Sequence, residues 1–286
     1  MRKILLSIVL ASLMVAVAST PVQARSVNGC KIKPHASCVG KNLRGADLNV
    51  ADLRWGNLLR SNLGGAKLYK ALLQQAFLQN VNLVGADLRR AIAPGASLFN
   101  ADMTRVRMSH ADLFHADLTL ARLVRSDMSR SRLDSVSAQS ADLRYVHAIG
   151  ANFGGAVLAY SRLSFANLSR AYLNSANLNY ARLDHANLTR ASLAYSYMIM
   201  ASLWGANLTH ANLADANLRL ADFGYANLTG ANLGRANLTK AHLFATNLSH
   251  ANLSYANLTG VLNLPSANLT GANLTGATMP DGSIHG

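Results

Sequence analysis

A large apolar residue returns at every fifth position along most of this chain. Stepping by five from Leu43 to position 263 visits 45 residues, of which 41 are Leu, Met or Phe; the exceptions are Ala93, Ala138, Ala148 and Asn263. Two places before the slot the chain is just as restricted: apart from Lys41 ahead of Leu43, the residue is Ala in most cases and otherwise a small or β-branched one such as Gly56, Ser61, Val81 or Thr246. The register slips once, by a single residue near Pro265, and resumes at Leu269, Leu274 and Met279.

Regular secondary structure does not accommodate such a period. In a helix, five residues advance the apolar position by about 140° past a full turn, which smears it around the axis. In a flat strand an odd period sends successive leucines to opposite faces. A chain that bends at each pentapeptide and winds into a coil keeps every large residue and every small one turned inward.

Cut into fives, residues 226–260 read ANLTG ANLGR ANLTK AHLFA TNLSH ANLSY ANLTG. The tandem A-[D/N]-L-x-x, in register over roughly residues 41–280, resembles the pentapeptide repeat family. That resemblance implies an all-β fold, a right-handed quadrilateral β-helix with about four pentapeptides per coil. About twelve coils at a strand spacing near 4.8 Å make a rod on the order of 55 Å long. Two exceptions suit a stacked interior: Val136 precedes Ala138 and Val146 precedes Ala148, so the small slot grows where the large one shrinks and volume is held. Ala91 with Ala93 shows no such exchange and is followed by Pro94 and Gly95, so a local defect is expected there.

The ends differ from the middle. Residues 1–24 have a basic start at Arg2 and Lys3, an apolar stretch from Ile4 and a Val22-Gln23-Ala24 site, the pattern of a secretory signal peptide cleaved after Ala24. The alternative is an uncleaved anchor, although the apolar run falls short of the roughly 20 residues of a span. Residues 25–40 read as a cap, residues 41–264 as uninterrupted repeats and residues 265–286 as shifted final repeats with a looser tail. The two cysteines, Cys30 and Cys38, lie in the cap; in an oxidising compartment such a pair reads as a disulfide closing the open first coil. A redox role is the weaker alternative, because the spacing is not C-x-x-C.

The formal charge is +14, all 13 acids are Asp, and losing Arg2 and Lys3 with the signal lowers the charge by two. The best-known relatives implied by the resemblance are acidic rods that imitate DNA and protect gyrase. A basic, exported chain does not fit that role.

Sorting the outward residues by coil locates the charge. Two places after the slot, one column reads Val50, Lys70, Arg90, His110, Arg130, Gly150, Arg170, Arg190, His210, Gly230, His250, so that eight of eleven are basic or His. Stacked cations repel unless something anionic answers them. The column just before the slot alternates Asp47, Lys67, Asp87, Arg107, Asp127 and His147 and then becomes an Asn ladder, which leaves Arg170, Arg190, His210 and His250 least compensated. The stripe is a track for a polyanion, either an envelope polymer or nucleic acid, or else a solvated face stacked by repeat duplication. Arg105, Arg122, Arg125, Arg144, Arg162 and Arg182 form a second basic region diluted by Asp102, Asp142 and Asp184.

Another face carries Tyr160, Tyr180, Met200 and Leu220 in one column with Tyr197 and Ile199 beside it. This is a candidate apolar interface for a protein partner or a homodimer, or else scattered aromatics. Nucleophile elbows, phosphate loops and zincin motifs are absent from the sequence, and of its nine His, His110, His115, His147, His185, His210, His242 and His250 are spread over different coils or faces. The expectation is a non-enzymatic exported scaffold with no cofactor, no metal and no small-molecule substrate. Polyanion binding is the alternative.

Overall fold

Each pentapeptide forms one side and one corner of a square coil. The carbonyl of the large residue accepts a hydrogen bond from the N–H three places on, as Ala46 N–H to Leu43 O at 3.0 Å. The residue two places past the slot has positive φ, for example 65° at Gly45 and 57° at Arg170, the requirement of a type II turn. A side chain in this left-handed region costs on the order of 1 kcal/mol. The ladder offsets it, because the same residue's N–H is paired with the next coil, as Arg170 N–H to Thr189 O at 2.9 Å.

The computed structural model describes residues 26–286, so the signal sequence and the Ala24 cleavage site lie outside the described residues. Parallel bridges link residue i to residue i + 20 from Ser37–Asn57 through to His242–Leu262, which places four pentapeptides in each coil. The result is a right-handed quadrilateral β-helix. Its core is one continuous cluster of the large and small slots, including Phe153, Phe223 and both compensating pairs, Val136 with Ala138 and Val146 with Ala148.

Three details depart from the sequence reading or refine it. The solenoid starts before residue 41: Cys38 fills a large slot at 0% exposure, Ala36 fills the small slot before it, and Ser37 already bridges Asn57. The N-terminal hairpin lies ahead of this, β1 (Ser26–Val27) pairing antiparallel with β2 (Cys30–Lys31) across Asn28 and Gly29. Both of these turn residues have positive φ, as the two-residue hairpin turn demands. Cys30 and Cys38 are joined, with Cα atoms 5.1 Å apart, so the hairpin is tied to the first coil.

Second, the defect expected at Pro94–Gly95 does not occur. The ladder runs unbroken through Leu72–Ile92–Asp112, and Ala91 and Ala93 are buried. Pro followed by Gly is what the second and third positions of a type II turn favour, so the pair fits the repeat. Third, near Pro265 a 3-10 turn (Leu264–Ser266) absorbs the extra residue, and the bridge interval becomes 21 from Asn247–Asn268 onward. Asn263 leaves the core, and its side-chain amide meets His242 Nε2 at 2.7 Å. In this last coil Leu269, Leu274 and Met279 are only half-buried, and the tail folds back with Thr278 antiparallel to Ile284.

Candidate functional site

The side chains available to a partner stand at the corners, in columns one coil apart. Lys70, Arg90, His110, Arg130, Arg170, Arg190, His210 and His250 all occupy the positive-φ position of one corner, and all are exposed. Their backbones stack directly, Arg190 N–H donating to Thr209 O at 2.9 Å. Between Arg170, Arg190 and His210 lies a shallow groove of about 400 Å³ whose wall includes Ile149, Asn187 and Thr189 and contains no carboxylate. Its Asn ladder is satisfied internally: Asn187 Oδ1 accepts from the Thr189 N–H at 3.1 Å and hydroxyl at 2.6 Å, while Asn187 Nδ2 donates to Asn167 at 3.4 Å.

Neutralisation in the N-terminal half of this face centres on Asp87. Its carboxylate accepts from Arg89 at 2.7 Å and from Arg107 at 3.1 Å. Asp127 instead accepts from the N–H of Ser129 at 3.0 Å, closing its own turn. The hydrogen bond from Arg89 holds the Asp87 carboxyl below its ordinary value against the opposing effect of burial. Burial pushes the Asp142 carboxyl up, and the hydrogen bonds and charge of Arg144, with Arg162 beyond it, together outweigh that and leave it below its ordinary value.

The apolar column is also brought together. The rings of Tyr160 and Tyr180 stack at 4.8 Å with 1° between their planes. Met200 and Leu220 continue the corner, with Tyr197 exposed and Ile199 half-buried beside them. The two candidate surfaces therefore run along different corners of the same rod.

A third corner carries a stack of rings. Tyr145 stacks on Phe165 at 5.1 Å and Phe165 on His185 at 5.1 Å, with Arg125 above the Tyr145 ring at 5.6 Å. Sorting the second basic region by the same interval, Arg105, Arg125, Tyr145, Phe165, His185, would have found it. Among the described residues no group of three His, Cys, Asp or Glu stands close enough to hold a metal ion, and no helix is long and apolar enough to cross a membrane.

Comparison with known proteins agrees with this architecture. The family profile described as Pentapeptide repeats (8 copies) matches overlapping stretches from residue 46 to residue 279. Among solved structures, the chain is similar to HetL, a pentapeptide repeat protein involved in heterocyst differentiation regulation from the cyanobacterium Nostoc sp. strain PCC 7120. The identity is 31%, covering 84% of this chain and 94% of that one, with a TM-score of 0.45. A pentapeptide repeat protein of the Arabidopsis thaliana thylakoid lumen is 33% identical over 33% of this chain and 63% of its own, with a TM-score of 0.25. Full-length QnrB1, a plasmid-mediated fluoroquinolone resistance protein, is 20% identical over 74% of this chain and 90% of its own, with a TM-score of 0.30. No curated protein matches the chain. With the profile spanning most of its length, the chain belongs to the pentapeptide repeat family.

Proposed function

We propose that this protein is an exported, non-enzymatic interaction scaffold, a rigid rod that docks a protein partner along the corner from Tyr160 to Leu220. The observation that supports it is the placement of four apolar side chains, Tyr160, Tyr180, Met200 and Leu220, at the same exposed corner of four successive coils. Exposed apolar side chains gathered in this way mark contact surfaces. The backbone ladder fixes their spacing, so little backbone freedom is left to lose on binding.

A second reading rests on the groove between Arg170, Arg190 and His210. Two stacked arginines with His210 beside them and no carboxylate in the wall suit an extended anionic polymer lying along the rod, with affinity dominated by counterion release. A duplex suits it less, since its phosphates turn away from a straight ladder.

The test is capture from an envelope extract at low and high salt. Arg60→Ser with Arg219→Ser serves as a charge-matched control for the stripe only, since these residues lie off it, in or beside the column of the apolar corner. A defined protein retained at high salt and lost on Tyr160→Ser with Tyr180→Ser supports the scaffold. Salt-sensitive capture of a polymer, lost on Arg170→Ser with Arg190→Ser and not in the control, supports the second reading and removes the first. Export is checked separately, by whether the cell-made chain begins after Ala24.

A further inference from the structure

The second basic region forms a recess of its own. Arg105, Arg122, Arg125 and Arg144, from three successive coils, line a pocket of about 230 Å³ with Val84 and Tyr145 in its wall. One carboxylate addresses this group. Asp142 takes Arg144 through paired hydrogen bonds at 2.8 and 2.7 Å, with Arg162 at 3.8 Å outside the recess. Arg122 stands between Asp102 and Asp142 in the bridge column without an ion pair to either; Asp102 accepts from the N–H and hydroxyl of Thr104 at 3.0 and 2.6 Å. Among the described residues neither Arg105 nor Arg122 has an ion pair within 4.0 Å, and Arg125 is held over a ring.

Two of the four guanidiniums are fixed in place before any ligand arrives. Arg144 is clamped by Asp142. Arg125 lies over Tyr145, which is backed by Phe165 and His185; the His185 ring in turn sits over Gly205, where a β-carbon would come within 2.6 Å of Nδ1. Because the rings cover one another's faces, they do not form a platform for stacking bases. What they supply is position for a cation. The group is all Arg and no Lys, and the planar guanidinium fork matches the paired oxygens of a tetrahedral oxyanion. Like charges crowded into one recess destabilise it until an anion answers them, and pre-positioned donors reduce the ordering cost of binding.

We propose that the recess lined by Arg105, Arg122, Arg125 and Arg144 binds a phosphate-bearing ligand, a diphosphate or phosphate ester, at a site separate from both surfaces above. It differs from the stripe in kind, as a discrete cluster and not a track. The site needs neither the apolar corner nor Arg170 and Arg190.

Calorimetric titration of the purified chain with inorganic pyrophosphate tests this, with citrate as a carboxylate of similar charge and inorganic sulfate as a second oxyanion. The expected result is saturable binding of one pyrophosphate per chain, tighter than citrate and weakened about tenfold or more by Arg105→Ser with Arg122→Ser. Both of these residues lack ion pairs and removing them relieves like-charge repulsion, so without ligand that variant should melt no lower than the parent. Tyr145→Leu, which removes the ring beneath Arg125, should weaken binding by a smaller factor. Neither Arg170→Ser with Arg190→Ser nor Arg60→Ser with Arg219→Ser should change it. No saturable binding, equal losses in all three double variants, or citrate binding as tightly as pyrophosphate would each overturn the proposal. Sulfate binding as tightly would overturn the assignment to phosphate.

Discussion

The ring of His210 lies over Gly230 of the next coil, so close that a β-carbon at residue 230 would stand 2.6 Å from Nδ1. The same relation joins His185 to Gly205 and His250 to Gly271. A corner side chain leans toward the following coil, and a glycine there gives a flat ring a place to rest.

Gly230→Ala should therefore cost stability for two reasons. Residue 230 has φ +62°, where a side chain costs roughly 1–2 kcal/mol, and the new methyl must displace the imidazole. The two parts separate in a double-mutant cycle: in a His210→Ala background the cost of Gly230→Ala should shrink to the backbone part alone. Thermal melting of the four proteins checks this, and additive losses would show that the ring does not press on residue 230.

The stacked interior makes a second demand. Leu188 is completely buried, with coils above and below it. Leu188→Ala should cost about 2–5 kcal/mol through lost transfer energy and the cavity left behind. Leu188→Asp should cost more, because it forces an unpaired charge inside. Since each coil contacts only its neighbours, the damage should be local. Hydrogen exchange should rise in the coils around Leu188 and stay slow near Leu58; a uniform rise would contradict a solenoid of nearly independent coils.

The sequence specified the backbone better than it specified the surface. A five-residue period allows few windings, so the coil and the contents of nearly every slot could be read directly. The slip at Pro265 was legible for the same reason, since one extra residue must go somewhere. Cys38 reads as part of a cap, although it stands five places before Leu43 and packs in the equivalent slot. Pro94–Gly95 reads as an interruption because proline and glycine signal one in most contexts, whereas here the turn itself is the repeat. Ion pairs were harder to read. Asp87 and Asp127 hold equivalent positions, yet one accepts hydrogen bonds from two arginines and the other closes its own turn. The choice depends on side-chain reach, which a column of letters does not show.

Asp87 links that choice to pH. Its carboxyl lies below the ordinary value in the folded chain, first through the hydrogen bond from Arg89. A group of this kind contributes stability above its unfolded value, near 3.8, and loses that contribution as pH falls through the folded value. Asp87→Asn should thus lower the melting temperature by a constant amount from neutral pH to about pH 5, and the gap should close below pH 4. Asp215, held down by Arg235, should behave in the same direction but more weakly in high salt, because Arg235 is exposed. A gap for Asp87→Asn that widens in acid would mean the sign is wrong.

Serines in the small slot give the last prediction, since equivalent positions are not equivalent in energy. The hydroxyl of Ser131 donates to Met128 O at 2.5 Å and that of Ser161 to Leu158 O at 2.6 Å. Those of Ser61, Ser126 and Ser196 are buried without a hydrogen-bond partner among the described residues. An unpaired buried hydroxyl costs about 1–3 kcal/mol, whereas a paired one contributes about 1 kcal/mol. Alanine is already the usual occupant of this slot, so replacement leaves no misfit. Ser126→Ala and Ser196→Ala should raise the denaturant midpoint, each by the equivalent of about 1 kcal/mol, while Ser131→Ala and Ser161→Ala should leave it unchanged or lower it. If all four variants moved the midpoint alike, slot chemistry and not hydrogen bonding would govern these sites, and the difference between the two pairs of serines would have no energetic meaning.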